Sequence, residues 1–428
     1  MTLTDRERLG DLKVAVQDLY RRNRQQGHAA WCDRDYDYVC PSVERYPFQW
    51  FWDSCFHAVV LSRLDPERAE AELRTLLVNQ HPDGFVSHVT FWQRERHEAA
   101  VADYLIRWRS PWLSDSMQPP ILAEATAAVA RRGGGLRFLR EVLPAVRAFY
   151  DWCHRVRDPD GEGLIVVLEP HETGMDQSPS FDAYLGVETA TPDAFAAAWR
   201  SVALKRAEVE QRPEPIKAAD RFVVADVLVN TLYAENQRVL ADLHAQVGDT
   251  VGFAELRSRA DRTATRVLER CWMAEDADFH ALAGETQAPL PGGTVAGLLP
   301  VLLAAAPSPV VDGIAARLAD RDEFGAAFPV PSVARTHPAF QAGPMRDLLW
   351  RGPTWINTNW YVARGLRRHG HVALAQRIED ASMALVERSG FREYFNPDTG
   401  VGYGARGFAW SALAFEMLAS RLEGDRIS

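Results

Sequence analysis

The feature that most constrains this chain is helical periodicity recurring in consecutive pairs along its length. Leu9, Leu12, Val16 and Leu19 mark one face of a first helix. Residues 56–64 and 66–77 form a pair, with Pro66 acceptable in a first helical turn. The same reading predicts helices over 120–131, 136–156, 223–247, 254–271, 294–305, 310–319, 358–369, 371–389 and 408–422. Strand-like runs are few and short, 163–168 being the clearest. About a dozen helices joined as hairpins predict an all-α fold, an (α/α)6 barrel whose long loops form a pocket at one end. Residues 1–428 read as one domain, with an excursion over 192–215 that could serve as a lid.

Connections repeat a theme of Pro, Asp and Gly. HPDGF at 81–85, DPDGEG at 158–163 and NPDTGVG at 396–402 are all turns beside helices. DPDGEG has the look of half a calcium loop but lacks the distal glutamate, so a tight turn is the better reading.

Composition narrows the function. A net charge of −10 argues against a nucleic-acid partner, because phosphate binding needs a basic face. No apolar run approaches the roughly 20 residues of a membrane span. The charged N-terminus has no apolar signal core. Five cysteines, an odd number without CxxC spacing, read as reduced thiols of a cytoplasmic protein with no metal site. No P-loop, GxGxxG or GxSxG is present to anchor a nucleotide or triad reading.

Thirteen tryptophans are unevenly placed. Trp50 and Trp52 lie in YPFQWFWDSCFH, 46–57, which alternates and is expected to become helical only at its end. Trp350 and Trp355 flank Arg351-Gly352-Pro353. Aromatic faces beside Asp53, Gln118, Arg351 and Asn357 suit a sugar, whose C–H faces stack while its hydroxyls need polar partners. Each tryptophan taken singly could equally be a core residue.

Two carboxylates sit in irregular segments between predicted helices: Asp176 in HETGMDQSPSFD and Glu393 in FREYFNPDTG. Gly174 permits close approach of the backbone to a ligand. Paired carboxylates in an aromatic pocket are what glycoside hydrolysis requires. One gives a proton to the leaving oxygen and the other takes one from water. Either could instead be an ordinary surface or capping residue.

YPFQWFWDSCFH, the QPP of 118–120, ETGMDQSP, WRGPTWINTNW, REYFNP and FAWSA together resemble glycoside hydrolase family 63, in its compact bacterial branch of mannosylglycerate and glucosylglycerate hydrolases. The match runs from about residue 38 to 418. The resemblance implies an (α/α)6 barrel and an inverting mechanism without a cofactor. It implies that Asp176 is the general acid and Glu393 the general base, with carboxyl groups about 6.5–9.5 Å apart. Tyr46, Trp50, Trp52 and Asp53 match the positions that hold the sugar. His88, Gln118, Trp350, Arg351, Trp355 and Trp410 match further pocket positions. Asp53 could also cap a helix starting at Ser54. Thr173, Gln177 and Ser180-Phe181 depart from the branch, which puts the leaving-group side in question. A glycerate carboxylate needs a cation or several donors, and Arg351, Arg406 and Arg221 are available by sequence.

The expectation is therefore an inverting α-glycosidase for a small carbohydrate, glucosylglycerate or mannosylglycerate. The alternatives are a trehalase-like or α-glucosidase activity on a di- or oligosaccharide, and a sugar-binding protein with a dormant site. The sequence does not speak to oligomeric state.

Overall fold

The computed structural model describes residues 4–93, 108–110, 112–158, 160–207, 222–344 and 348–424. Twelve labelled helices carry the fold: α1 (Asp5–Asn23), α2 (Phe51–Leu64), α3 (Pro66–Leu77), α4 (Leu122–Val129), α5 (Gly135–Arg157), α6 (Pro192–Ala207), α7 (Val227–Gln246), α8 (Thr250–Arg270), α9 (Ser308–Ala319), α10 (Ile356–Arg368), α11 (Val372–Ser389) and α12 (Leu413–Glu423). A 3-10 segment, Val295–Leu302, fills one further place.

Six elements form an inner ring. In order around it, α2 packs on α4, α4 on α7, α7 on the 3-10 segment, that segment on α10, α10 on α12, and α12 back on α2. Outside them lie α1, α3, α5, α8, α9 and α11, each against an inner partner. This closed double ring is the (α/α)6 barrel.

Burial distinguishes the two layers. In α2 every residue from Phe51 to Ser62 is buried. In the outer helix α8 the buried residues are Gly252, Leu256, Ala260, Thr263, Ala264 and Val267, a single stripe. Helix starts are set locally. Thr4 and Glu7 form a capping box on α1, and Asp65 caps α3 through the amide of Arg68 at 3.2 Å. Asp226 caps α7 through Val229 at 2.9 Å.

Several expectations need correction. The segment 46–57 turns helical at Phe51, earlier than expected, because a helix buried all round shows no amphipathic period. Asp53 accordingly lies inside the first turn of α2 and does not cap it. Residues 163–168 form no strand: one bridge joins Val167 to Val224, and the amide of Ile165 goes to Asn230 at 2.8 Å. Residues 294–305 give a 3-10 segment, with Pro300 inside it. Of the excursion 192–215, residues 192–207 form α6; residues 208–215, like Arg221, lie outside the described residues. No helix among the described residues is long and apolar enough to cross a membrane.

The inner helices α2, α10 and α12 begin at the same end of the ring. Short strands gather there: Gln49–Trp50 leads into α2, and the hairpin Arg392–Phe395 with Gly402–Arg406 follows α11.

Candidate active site

A cavity of about 500 Å³ opens at this end. Its floor is set by α2. Trp50 occupies the N-cap position but has no side-chain cap to offer. Gln118 supplies the cap instead, its Oε1 accepting from the amide of Trp52 at 2.8 Å. Its amide group thereby stays at the cavity wall.

Asp176 and Glu393 reach the same cavity from separate loops. The Asp176 turn passes Trp52 closely because residue 174 is glycine. An added Cβ there would stand 2.4 Å from the Trp52 ring, and φ is +71°. Burial raises the pKa of Asp176 above the ordinary carboxylate value, with His171 opposing. Asp176 nevertheless keeps part of its surface open, whereas Glu393 is 3% exposed.

Glu393 is held at both oxygens. Oε1 accepts from the Tyr46 hydroxyl at 3.0 Å, and Oε2 accepts from the Ala405 amide at 2.7 Å. Burial raises its pKa, while these bonds and the charge of Arg45 pull it back; the charge of Asp176 adds to the rise. The two carboxyl groups are thus close enough to feel one another. Burial also pushes Asp53 well up, with Glu393 contributing, and its Oδ1 is buried without a protein partner.

The wall is largely indole. Trp350 and Trp355 stack with centroids 3.8 Å apart and planes within 8°. Trp350 pays for this position with a left-handed backbone, φ +64°. Trp410 stands edge-on to Trp52 at 5.4 Å and to Trp355 at 5.8 Å. The indole N–H groups of Trp355 and Trp410 are buried with no protein acceptor. Trp50 packs on His88 at 5.2 Å. Stacking faces and inward donors are what a pyranose ring requires.

Tyr46, Trp50, Trp52, Asp53, His88 and Gln118 therefore meet at one cavity, as do Gly174, Asp176, Trp350, Trp355, Glu393 and Trp410. Arg351 is the exception. Its guanidinium is held by both oxygens of Asp182 and lies over the Phe195 ring at 5.0 Å, outside the cavity lining. Its role is to tie the Trp350 loop to the segment after Asp176. Arg406 does not line the cavity either.

Sequence reasoning missed Arg45, His171, Gln177, Trp199 and Phe408 as lining residues. Arg45 adjoins the aromatic motif but is one arginine among many. His171 opens the Asp176 segment and packs tilted against Trp199, with ring centroids 4.4 Å apart. Trp199 comes from α6, within the excursion that the sequence marked. Among the described residues no three His, Cys, Asp or Glu side chains gather as a metal set.

Comparison with known proteins agrees with this geometry. The profile of the mannosylglycerate hydrolase MGH1-like glycoside hydrolase domain matches residues 46–411. A mannosylglycerate hydrolase of Thermus thermophilus is 33% identical over 409 residues, covering 88% of this chain and 95% of the relative. A glucosylglycerate hydrolase of Mycolicibacterium hassiacum is 27% identical, covering 86% and 91%. The crystal structure of the family 63 mannosylglycerate hydrolase from Thermus thermophilus in complex with Tris and D-glycerate superposes with a TM-score of 0.83 at 30% identity, covering 96% of this chain and all of that one. The chain belongs to the MGH1-like glycoside hydrolases of family 63.

Proposed function

We propose that this glycoside hydrolase cleaves an α-linked mannosyl- or glucosylglycerate with inversion, Asp176 acting as general acid and Glu393 as general base. The observation that carries this reading is the convergence of two carboxyl groups, from loops 217 residues apart, on one indole-walled cavity.

The environments favour different tasks. Asp176 is accessible, and burial keeps it protonated to higher pH, which suits donation to a glycosidic oxygen. Glu393 is fixed by two donors, Tyr46 and Ala405, that favour its ionised form. A fixed carboxylate can orient a water and take its proton as the water attacks the anomeric carbon. Trp350, Trp355 and Trp410 hold the ring, and Asp53 and Gln118 take its hydroxyls.

A carboxylated leaving group is supported by the wall itself. Arg45 stands at the exposed mouth and His171 beside Asp176, so both a fixed cation and an ionisable ring are within the cavity. The homologous Thermus structure is described as a complex with D-glycerate. We also read residues 1–428 as one domain. Helix α6 serves in it as the lid, standing outside the six pairs and bringing Trp199 to the rim. Five cysteines with no disulfide among them support a reducing, cytoplasmic setting.

The test is a comparison of kcat/KM on mannosylglycerate, glucosylglycerate, trehalose and the methyl α-glycosides. Preference for a glycerate, weakened selectively in Arg45→Met or His171→Ala, supports the reading. Cleavage of trehalose alone overturns the substrate assignment.

A further inference from the structure

Glu172 lies four residues before Asp176, is fully buried, and stays outside the cavity lining. Both its oxygens are engaged. Oε1 accepts from Nη2 of Arg157 at 2.7 Å and from the Met117 amide at 3.1 Å. Oε2 accepts from Nη1 of Arg157 at 2.7 Å and from the Leu168 amide at 2.7 Å. Arg157 is the last residue of α5. Its side chain is as fully buried as that of Glu172, and its guanidinium lies over the Trp152 ring at 5.2 Å.

Stability alone is a weak reason for such a pair. Taking two charges out of water costs about as much as their attraction returns, and an apolar pair of similar volume commonly serves as well. What the pair supplies is direction. A guanidinium fork and two backbone amides fix the plane of one carboxylate.

That plane joins two parts of the site that must stay in register. Met117 precedes Gln118, whose side chain caps α2 at Trp52, in the floor that receives the sugar. From Glu172 to the acid the chain is tied bond by bond. Thr173 Oγ1 donates to the Pro170 carbonyl at 2.7 Å and accepts from the Met175 amide at 2.9 Å. The Gly174 amide donates to the His171 carbonyl at 3.2 Å, and the Ser178 amide to that of Met175 at 2.9 Å. Beyond Asp176, the Gln177 side chain accepts from the Leu349 amide. Asp176 thus sits in a turn anchored on both sides, and the anchor before it is shared with the sugar floor.

We propose that Glu172, oriented by Arg157, is a positioning residue for proton donation. It holds the Asp176 turn in register with Gln118 and Trp52, so that the acid meets the glycosidic oxygen of a sugar seated on that floor. The inference rests on Asp176 being the general acid. Misplacement by about 1 Å is enough to cost roughly 10²-fold in rate.

The experiment compares turnover of mannosylglycerate and glucosylglycerate with that of α-mannosyl and α-glucosyl fluoride. Fluoride departs without a proton from the enzyme, so only the glycerates report alignment of the acid. The double variant Arg157→Met with Glu172→Gln leaves no buried charge unpaired. Thr173→Val removes one hydroxyl of the turn at nearly constant volume, and decides the question if the double variant does not fold. In each variant kcat on the cleaved glycerate should fall by roughly 10–100-fold with KM little changed. The fluoride of the same sugar should be turned over within about threefold of the wild-type rate. A role confined to folding would lower both substrates together. Equal loss on glycerate and fluoride, or wild-type kinetics on both, overturns the inference. Asp176→Asn is the control. Retained fluoride turnover upholds the acid assignment, and its loss would strike that assignment first and the proposal with it.

Discussion

The Tyr46 hydroxyl donates to Oε1 of Glu393 at 3.0 Å, across 347 residues of sequence. This bond and the Ala405 amide favour the carboxylate, while burial opposes it. The acid limb of a pH–kcat/KM profile reports the ionisation of the base. Tyr46→Phe removes a donor to the charged form, so the Glu393 pKa rises and the acid limb moves to higher pH. An unmoved limb would separate Tyr46 from the base.

Removing either carboxyl tests the division of labour. Asp176→Asn and Glu393→Gln should each lower kcat by about 10²–10⁴ or more, with binding of free sugar retained in calorimetry. Glycosides with a good leaving group should recover activity in Asp176→Asn, because they need no proton, and should not recover it in Glu393→Gln. Equal recovery in both would exchange or void the roles.

Gly404 provides a steric test of base placement. A Cβ at this position would lie 2.4 Å from Oε2 of Glu393, on a backbone with φ +64°. Gly404→Ala should therefore cost roughly 1–3 kcal/mol of stability and lower kcat by displacing the carboxylate. Gly174→Ala would instead press on Trp52 and should raise KM. Wild-type kinetics in both variants would show that the loops yield without cost.

Glu72 lies 1% exposed beneath this end of the ring, its Oε2 accepting from the Val39 amide at 2.7 Å. Burial pushes its pKa up to about 8. The folded state then holds a proton that the unfolded chain releases near the ordinary value of 4.5. Stability from this group is complete below that value and falls as pH rises toward 8. Glu72→Gln keeps the acceptor and cannot ionise. Its stability relative to wild type should rise between pH 5 and 8, by roughly 4 kcal/mol at most. Denaturant unfolding at the two pH values measures this, and parallel curves would contradict it.

Particular residues show why the sequence was legible in some places and not in others. The outer helices declared themselves through a single apolar stripe, as in α8. Helix α2 concealed its start because Phe51, Trp52 and Asp53 are all buried and leave no period to follow. Asp176 and Glu393 were legible as acids in irregular segments rich in Gly and Pro, and the surrounding motifs identified the family. Arg351 misled, because its neighbours Trp350 and Trp355 do face the cavity. Only tertiary structure shows that Asp182 takes its guanidinium. His171, Trp199 and Arg45 were invisible as pocket residues for the same reason: nothing local fixes which way they point.

The most direct test of the central claim is early-time proton NMR of the sugar released from mannosylglycerate and glucosylglycerate. Attack by a water held by Glu393, opposite a proton from Asp176, predicts the β-anomer first, with the α-anomer growing in only by mutarotation. Release of the α-anomer first would mean a covalent or substrate-assisted route and would contradict the assignment of Glu393 as general base.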